Sequence, residues 1–321
     1  MAHDSDAAAF PRLAELMQQA CQRGAQDAPS RLGMVHPCDA LSMEAADHIA
    51  RSGMARPVLV GPSELMRRAA DEASVSFDAF ECIDTHSRFP QDTARHATQL
   101  VHQGALQSLM KGALHTDELM SAVVNKDGGL RTSRRISHTF VFDLPGYHKL
   151  LSMADCVVNI APDLRTKRDI LSNALDLQKA LHITQPKVGI VTAVESVNPA
   201  IVATVDAREL VKMSALGEWP GAIVEGPFGF DNVISEQAAR IKKIDSRVSG
   251  DPDLLLMPDL NAGNILYKSF VYMAGGECAG LVLGTSVPVV LTSRADSLLS
   301  RLASVALAVL VSQARQQDDL T

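Results

Sequence analysis

Short apolar runs of strand type recur along this chain, each leading through a turn into a stretch with helical spacing. Runs at 32–35, 57–61, 77–83 and 108–110 alternate with helical patterns at 9–23, 41–53, 63–73, 90–104 and 116–125. Gly24, Gly53 and Gly104 close three of those helices, and Asp39, Ser63 and Thr116 stand where helices open. A strand and a helix repeating roughly every 20–30 residues specify βαβ units around a parallel sheet. The predicted class is therefore α/β, doubly wound.

The rhythm breaks once. Residues 134–144 predict a longer strand, Pro145-Gly146 a turn, and 156–160 a second strand, a hairpin-like insert of the kind that marks entry into a second domain. Alternation then resumes with helices at 167–181, 199–215, 232–242 and 260–273 and strands at 187–192, 222–225, 253–257 and 279–283. A strand at 288–291 and a helix at 296–312 finish the pattern. A chain of 321 residues has the length of two domains of roughly 150 residues each.

Charge and composition exclude several functions. A net charge of −7 opposes non-specific nucleic-acid binding, which needs a basic face to release counterions. Trp219 is the lone tryptophan and aromatics are 4% of the chain, which argues against a stacking platform. Cys21, Cys38, Cys82, Cys156 and Cys278 are scattered and odd in number, so neither a disulfide framework nor a metal site is expected. The amino terminus carries two acids and no apolar core of a signal peptide, and the apolar stretch 302–311 is too short to span a bilayer. A cytoplasmic protein with no membrane partner is expected.

Polar clusters fall where strands hand over to helices, the edge at which open α/β sheets bind ligands. In Thr292-Ser293-Arg294-Ala295-Asp296, Ser293 and Asp296 have the spacing of a capping box. Arg294 fits that reading badly, because a cation in a first helical turn opposes the macrodipole by roughly 0.3–1 kcal/mol. It fits a bound anion well, since guanidinium grips phosphate bidentately. Lys111-Gly112-Ala113-Leu114-His115-Thr116 has the form of a phosphate cradle without being a P-loop, and equally that of a plain turn. Asp259 is placed to cap the helix at 260–273, which also carries Asn264. Arg131, Arg134 and Arg135 lie in a basic, glycine-containing stretch.

At these residues the sequence resembles the phosphate acetyl/butyryltransferase family. The matching stretches are 109–116, 135–142, 225–231, 258–264 and 292–297, in order along the chain, and the wording Met-Lys-Gly and Ser-Arg-Ala-Asp-Ser is similar to the butyryltransferase-like branch. The resemblance implies two α/β/α domains like those of isocitrate and isopropylmalate dehydrogenases, with doubly wound, mostly parallel sheets and an interdomain cleft. On this chain the domains would be 1–139 plus 287–321, and 140–286. It further implies a homodimer that interconverts a short-chain acyl-CoA plus phosphate with an acyl phosphate plus CoA. Coenzyme A is then a substrate, and no cofactor or metal is required.

Carried over by position, Ser293 and Arg294 match the family's Ser-Arg pair. Lys111, His115, Thr116, Arg135, Ser137, Asp259 and Asn264 are the implied substrate-binding residues. In the acetyltransferase branch the base carboxylate lies six residues after the Arg, and here that position is Ser300. Asp296 is the nearest carboxylate and becomes the candidate base. That branch also has an Arg where this chain has Met120 and Ser121, so Arg131, Arg134 or Arg135 is left to supply the charge. Two other readings stand beside the transferase. One is a non-catalytic protein that binds CoA or acyl phosphate. The other is an NAD-dependent decarboxylating dehydrogenase, which would need clustered metal-binding aspartates that the sequence lacks.

Overall fold

The computed structural model describes residues 8–26, 29–293 and 295–319. In chain order the elements are α1 (Pro11–Gln26), β1 (Ser30–Val35), α2 (Ala40–Ser52), β2 (Ala55–Gly61), α3 (Ser63–Glu72), β3 (Glu81–Asp84), α4 (Pro90–His102), β4 (Ser108–Lys111) and α5 (Thr116–Val123). There follow β5 (Ser137–Asp143), β6 (Leu151–Ala154), α6 (Leu164–Ala180), β7 (Lys187–Val191), α7 (Val202–Ala215), β8 (Ile223–Phe228), α8 (Phe230–Ile234), α9 (Glu236–Ile241), β9 (Leu254–Leu256) and α10 (Leu260–Tyr272). Finally come β10 (Glu277–Leu283), β11 (Val289–Val290) and α11 (Leu298–Asp319).

Two compact units divide the chain, Met1–Arg134 with Cys278–Thr321, and Arg135–Glu277. The boundaries expected from sequence were 139/140 and 286/287. Most of β10 goes with the outer segments because α11 holds it: Ser300 Oγ donates to Cys278 O at 2.6 Å, and Gly280 N donates to Ser304 Oγ at 2.9 Å.

In the first unit the strands run β3-β2-β1-β4-β11-β10, parallel except for the β10/β11 pair. The chain winds outward from β1 to β3 and then returns to the other side of β1. That reversal places the topological switch point between β1 and β4, where ligands of such sheets bind beyond the carboxyl ends. Both faces are covered, so the strands read as unbroken apolar runs: Leu32, Met34, Val58, Leu59 and Leu109 are fully buried. In the second unit the order is β5-β6-β9-β7-β8, with only the β5/β6 pair antiparallel. Its core gathers Ile170, Leu171, Val188, Ala207, Leu210 and Leu254 between α6, α7 and the sheet.

Several local expectations change. The predicted strand at 156–160 is a loop, and the partner of β5 is β6. Buried Asp155 is the reason: its carboxylate accepts the N–H groups of Val157, Val158 and Asn159 at 2.8, 3.0 and 3.2 Å, and a ladder would need those donors. The helix expected to stop at Gly24 runs on to Gln26. Gly24 is an interior packing position, since a Cβ there would lie 2.4 Å from Gly53 O. The helix predicted at 232–242 is two short helices, because Ser235 takes an extended conformation and caps the second through Ala238 N.

The last helix opens at Leu298, later than expected, and continues to Asp319. Its apolar window, 298–317, is long enough to cross a membrane, but 78% of it is buried inside the fold, as for a core helix. It packs on α1, α2, β4 and β11.

Candidate active site

At the carboxyl edge of the first unit, the segments after β1, β4 and β11 come together. Gly112 N donates to Val35 O and Ala113 N to His36 O, both at 2.9 Å, so the turn after β4 is laced to the end of β1. A Cβ on Gly112 would sit 2.6 Å from Val35 O and 2.7 Å from His36 O. The glycine that looked suited to a phosphate therefore serves the approach of two chain segments, and these two N–H groups are spent. What the turn presents instead is the half-buried Lys111, whose Nζ donates to Leu114 O at 3.2 Å. His115 and Thr116 are exposed at the start of α5. His115, rather than Thr116, is the N-cap residue, with its N–H donating to Glu118 Oε2 at 2.7 Å.

The segment after β11 folds into a tight turn ahead of the helix. Ser293 N donates to Asp296 Oδ2 at 2.6 Å, Asp296 N to Ser293 O at 3.2 Å, and Ala295 N to Ser293 Oγ at 3.3 Å. This keeps the reciprocal half of the expected capping box but moves it off the helix. Ser297 does the capping, accepting from Ser300 N at 2.9 Å. Arg294 lies outside the described residues. The helix that follows, α11, opens at Leu298.

Ser293 is exposed and Asp296 half-buried. Burial pushes the Asp296 carboxyl up from its ordinary range, against the Ser293 N–H and the charges of Arg301 and Lys111, which pull it down. The Lys111 influence ties the β4 turn to the β11 turn electrostatically. Only Oδ2 of Asp296 takes a hydrogen bond from the described residues. Ser300, at the family's base position, is buried and bonded to Cys278 O, so it is a structural residue.

Two neighbours escaped the sequence reading. Arg301 is buried, its Nη2 donating to Ser293 O at 2.9 Å and its Nε to Asp296 O at 3.3 Å. Its position one turn after Ser297 was the available signal. His36, directly after β1, is 6% exposed with Nδ1 3.4 Å from Thr93 Oγ1, and burial lowers its pKa against Glu118 and Asp39. The nearby Cys38 thiol is pushed up to about 12 by burial and Asp39, which leaves it protonated and unreactive.

The remaining expected residues belong to the second unit. Because β5 runs against β6, its amino end meets the carboxyl end of β6, and Arg135, Ser137, Asp155 and Asp259 share that edge. The backbone at Arg135 is clamped on both sides. Its N–H donates to Asp169 Oδ2 at 2.9 Å, and Asn173 Nδ2 donates to Arg135 O and Ser137 Oγ, each at 2.9 Å. Arg135 is exposed, whereas Ser137 is fully buried in that bond. Asn159 Nδ2 reaches Ile136 O at 2.9 Å, and Asp155 holds Asn159. Burial raises the Asp155 carboxyl despite the N–H groups that oppose it.

Asp259 caps α10 through Ala262 N at 3.0 Å, as expected, and Asn264 Nδ2 donates to Cys156 O at 3.2 Å. Both side chains are thus at work inside the fold. Asn173 had a readable signal, a polar residue in the apolar stripe of α6 (Ile170, Leu171, Ala174, Leu177).

Among the described residues no group of three or more His, Cys, Asp or Glu could hold a metal ion. The edge of the first unit offers the cations Lys111 and Arg301, the exposed Ser293 hydroxyl and the half-buried Asp296 carboxylate. That set suits moving a group between a thiol and an oxyanion.

Comparison with known proteins agrees. The family model described as "Phosphate acetyl/butaryl transferase" matches residues 82–309. The phosphate acetyltransferase of Rhizobium meliloti is 45% identical over 291 residues, covering 90% of this chain and 91% of that protein. The probable phosphate butyryltransferase of Bacillus subtilis (strain 168) is 40% identical over 269 residues, covering 84% and 87%. Among solved structures, a branched-chain phosphotransacylase from Enterococcus faecalis V583 superposes with a TM-score of 0.76 at 26% identity, over 88% of this chain and 99% of that one. The chain belongs to the phosphate acetyl/butyryl transferase family.

Proposed function

We propose that this enzyme transfers a short acyl group, acetyl or butyryl, between CoA and phosphate, with the Ser293–Asp296 turn as its chemical centre. The observation that carries the reading is the state of Asp296. One carboxylate oxygen braces the turn through Ser293 N, the other takes no hydrogen bond from the described residues, and burial raises its basicity.

In the direction of thioester formation, Asp296 takes the proton of the CoA thiol. A free thiol has a pKa of about 8.5 and is mostly protonated at neutral pH, so a base assists. The thiolate sulfur attacks the acyl carbon, the carbonyl electrons move onto oxygen, and the Ser293 hydroxyl donates to that oxyanion. Collapse breaks the C–O bond to phosphate, which leaves with the electron pair. Arg294 grips the departing phosphate, and Lys111 adds charge from the β4 turn. His115 and Thr116 serve substrate at the start of α5; within the second unit Arg135, Ser137, Asp259 and Asn264 are assigned to substrate binding, Asp259 and Asn264 holding backbone and Ser137 accepting from Asn173. No cofactor takes part in these steps.

A reducing, cytoplasmic setting fits five cysteines with no disulfide among the described residues. We assign a homodimer to the apolar stripe of α10 and its end, where Ile265, Tyr272 and Met273 are 67%, 74% and 86% exposed. Light scattering reads the mass directly.

The function is tested by phosphate-dependent thiol release from acetyl-, propionyl- and butyryl-CoA. Arg294→Ala is expected to abolish release, and Asp296→Asn to lower kcat by about 10²–10⁴-fold without loss of fold. Near-normal turnover in either variant removes that residue from its role. Release without phosphate would make the protein a thioesterase instead.

A further inference from the structure

Arg301 has no place in the chemistry above, yet the residue is 7% exposed and spends its fork on the reacting turn. Nη2 donates to Ser293 O at 2.9 Å and Nε to Asp296 O at 3.3 Å, so one guanidinium joins the first and last residues of that turn. Its own N–H donates to Ser297 O at 3.2 Å. The preceding residue anchors it to the sheet: Ser300 Oγ donates to Cys278 O at 2.6 Å, and Ser304 Oγ returns to Ser300 O at 2.7 Å. Such a position is costly for a cation, since it is buried and faces the positive end of a helix. Its compensation comes from the carbonyls of Ser293 and Asp296 and from the Asp296 carboxylate.

We propose that Arg301 is a positioning residue of the transfer reaction, locking Ser293 and Asp296 in register and setting the charge beside the base. This rests on the reading of Asp296 as base. The groups facing that carboxylate are Ser293 N–H from its own turn, Arg301 from α11 and Lys111 from the end of β4. Burial already pushes the carboxyl up, and without Arg301 the described residues oppose it with Lys111 and one N–H.

The test compares Arg301→Gln and Arg301→Lys with Asp296→Asn, each assayed for kcat, KM and pH profile per folded enzyme. Arg301→Gln removes the charge and is expected to lower kcat about 10–100-fold with KM for acyl-CoA little changed, the scale of a small misplacement of reacting groups. Its acid limb should move to higher pH. Arg301→Lys keeps the charge and loses the fork, so its acid limb should stay while kcat falls less. A drop in melting temperature alone, with kcat and limb unaltered in both variants, overturns the proposal. Full turnover in Asp296→Asn would overturn the base reading instead. The kcat of Arg301→Gln would then decide the positioning role on its own.

Discussion

Gly112→Ala isolates what the turn after β4 is built for. The new Cβ would stand 2.6 Å from Val35 O and 2.7 Å from His36 O, nearer than real Cβ atoms come to such oxygens. Both obstacles are backbone at the end of a buried strand and cannot swing aside. The turn itself must back away, stretching Gly112 N–H to Val35 O and Ala113 N–H to His36 O, each 2.9 Å, beyond useful length. Leaving such groups unsatisfied costs about 1–3 kcal/mol apiece, and the lost flexibility of the unfolded chain returns about 0.4–1 kcal/mol. The expected net loss is about 1–5 kcal/mol. At about 2–4 °C per kcal/mol for units of this size, the melting temperature should fall by about 2–20 °C.

Gly146→Ala is the matched control: nothing lies within 4 Å of its Cβ, so the change should be neutral or slightly stabilising. Thermal unfolding of both variants checks the stability claim. Phosphate KM checks the functional one, because Lys111 rides on the displaced turn and should hold phosphate less well. A Gly112→Ala protein that melts with the wild type and keeps its phosphate KM would refute the lacing of this turn to β1.

Other outcomes follow from buried charge. Lys167 Nζ and Asp206 Oδ2 pair at 2.7 Å with side chains 6% and 11% exposed. Asp206→Ala should cost about 3–5 kcal/mol in denaturant unfolding by stranding the lysine, while Lys167→Met with Asp206→Leu recovers most of it. Equal losses in single and double variants would contradict this.

His138 is buried and neutral, its pKa lowered by burial to about 3. The unfolded chain protonates below its ordinary value of about 6.5 and the fold does not. Stability should therefore fall by up to about 1.4 kcal/mol per pH unit between about pH 6 and 3 from this group. His138→Met should show a shallower acid slope over that window.

For Asp251 burial acts upward, but Lys149, Lys187 and His148 together pull its carboxyl well below the usual range. With a depressed folded pKa, its contribution is present above about pH 4 and fades as pH falls toward the folded value. The stability gap between wild type and Asp251→Asn should narrow in acid, and a gap independent of pH would argue against the cluster.

Residues next to one another in the chain determined a good deal of this protein. The alternation of apolar runs with helical spacing was enough for an α/β fold, because strand and helix periodicity are written locally. The Ser293-Arg294 and Lys111–Thr116 stretches announced the two turns, since helix starts and strand ends carry their own grammar. Asp259 capped the helix it was expected to cap. Tertiary structure decided which polar groups were left over for chemistry. Gly112 proved to accommodate β1, Ser137 was consumed by Asn173, and Ser300 by Cys278 O. The loop at 156–160, apolar enough for a strand, was claimed by a carboxylate whose burial no local pattern reveals. Arg301 drew no reading from local pattern, and its role came from the turn ahead of it, whose carbonyls meet its guanidinium. The physical reason is common to all of them: a hydrogen bond's partner is set by whichever distant segment packs against it, and that information lies in contacts rather than in spacing.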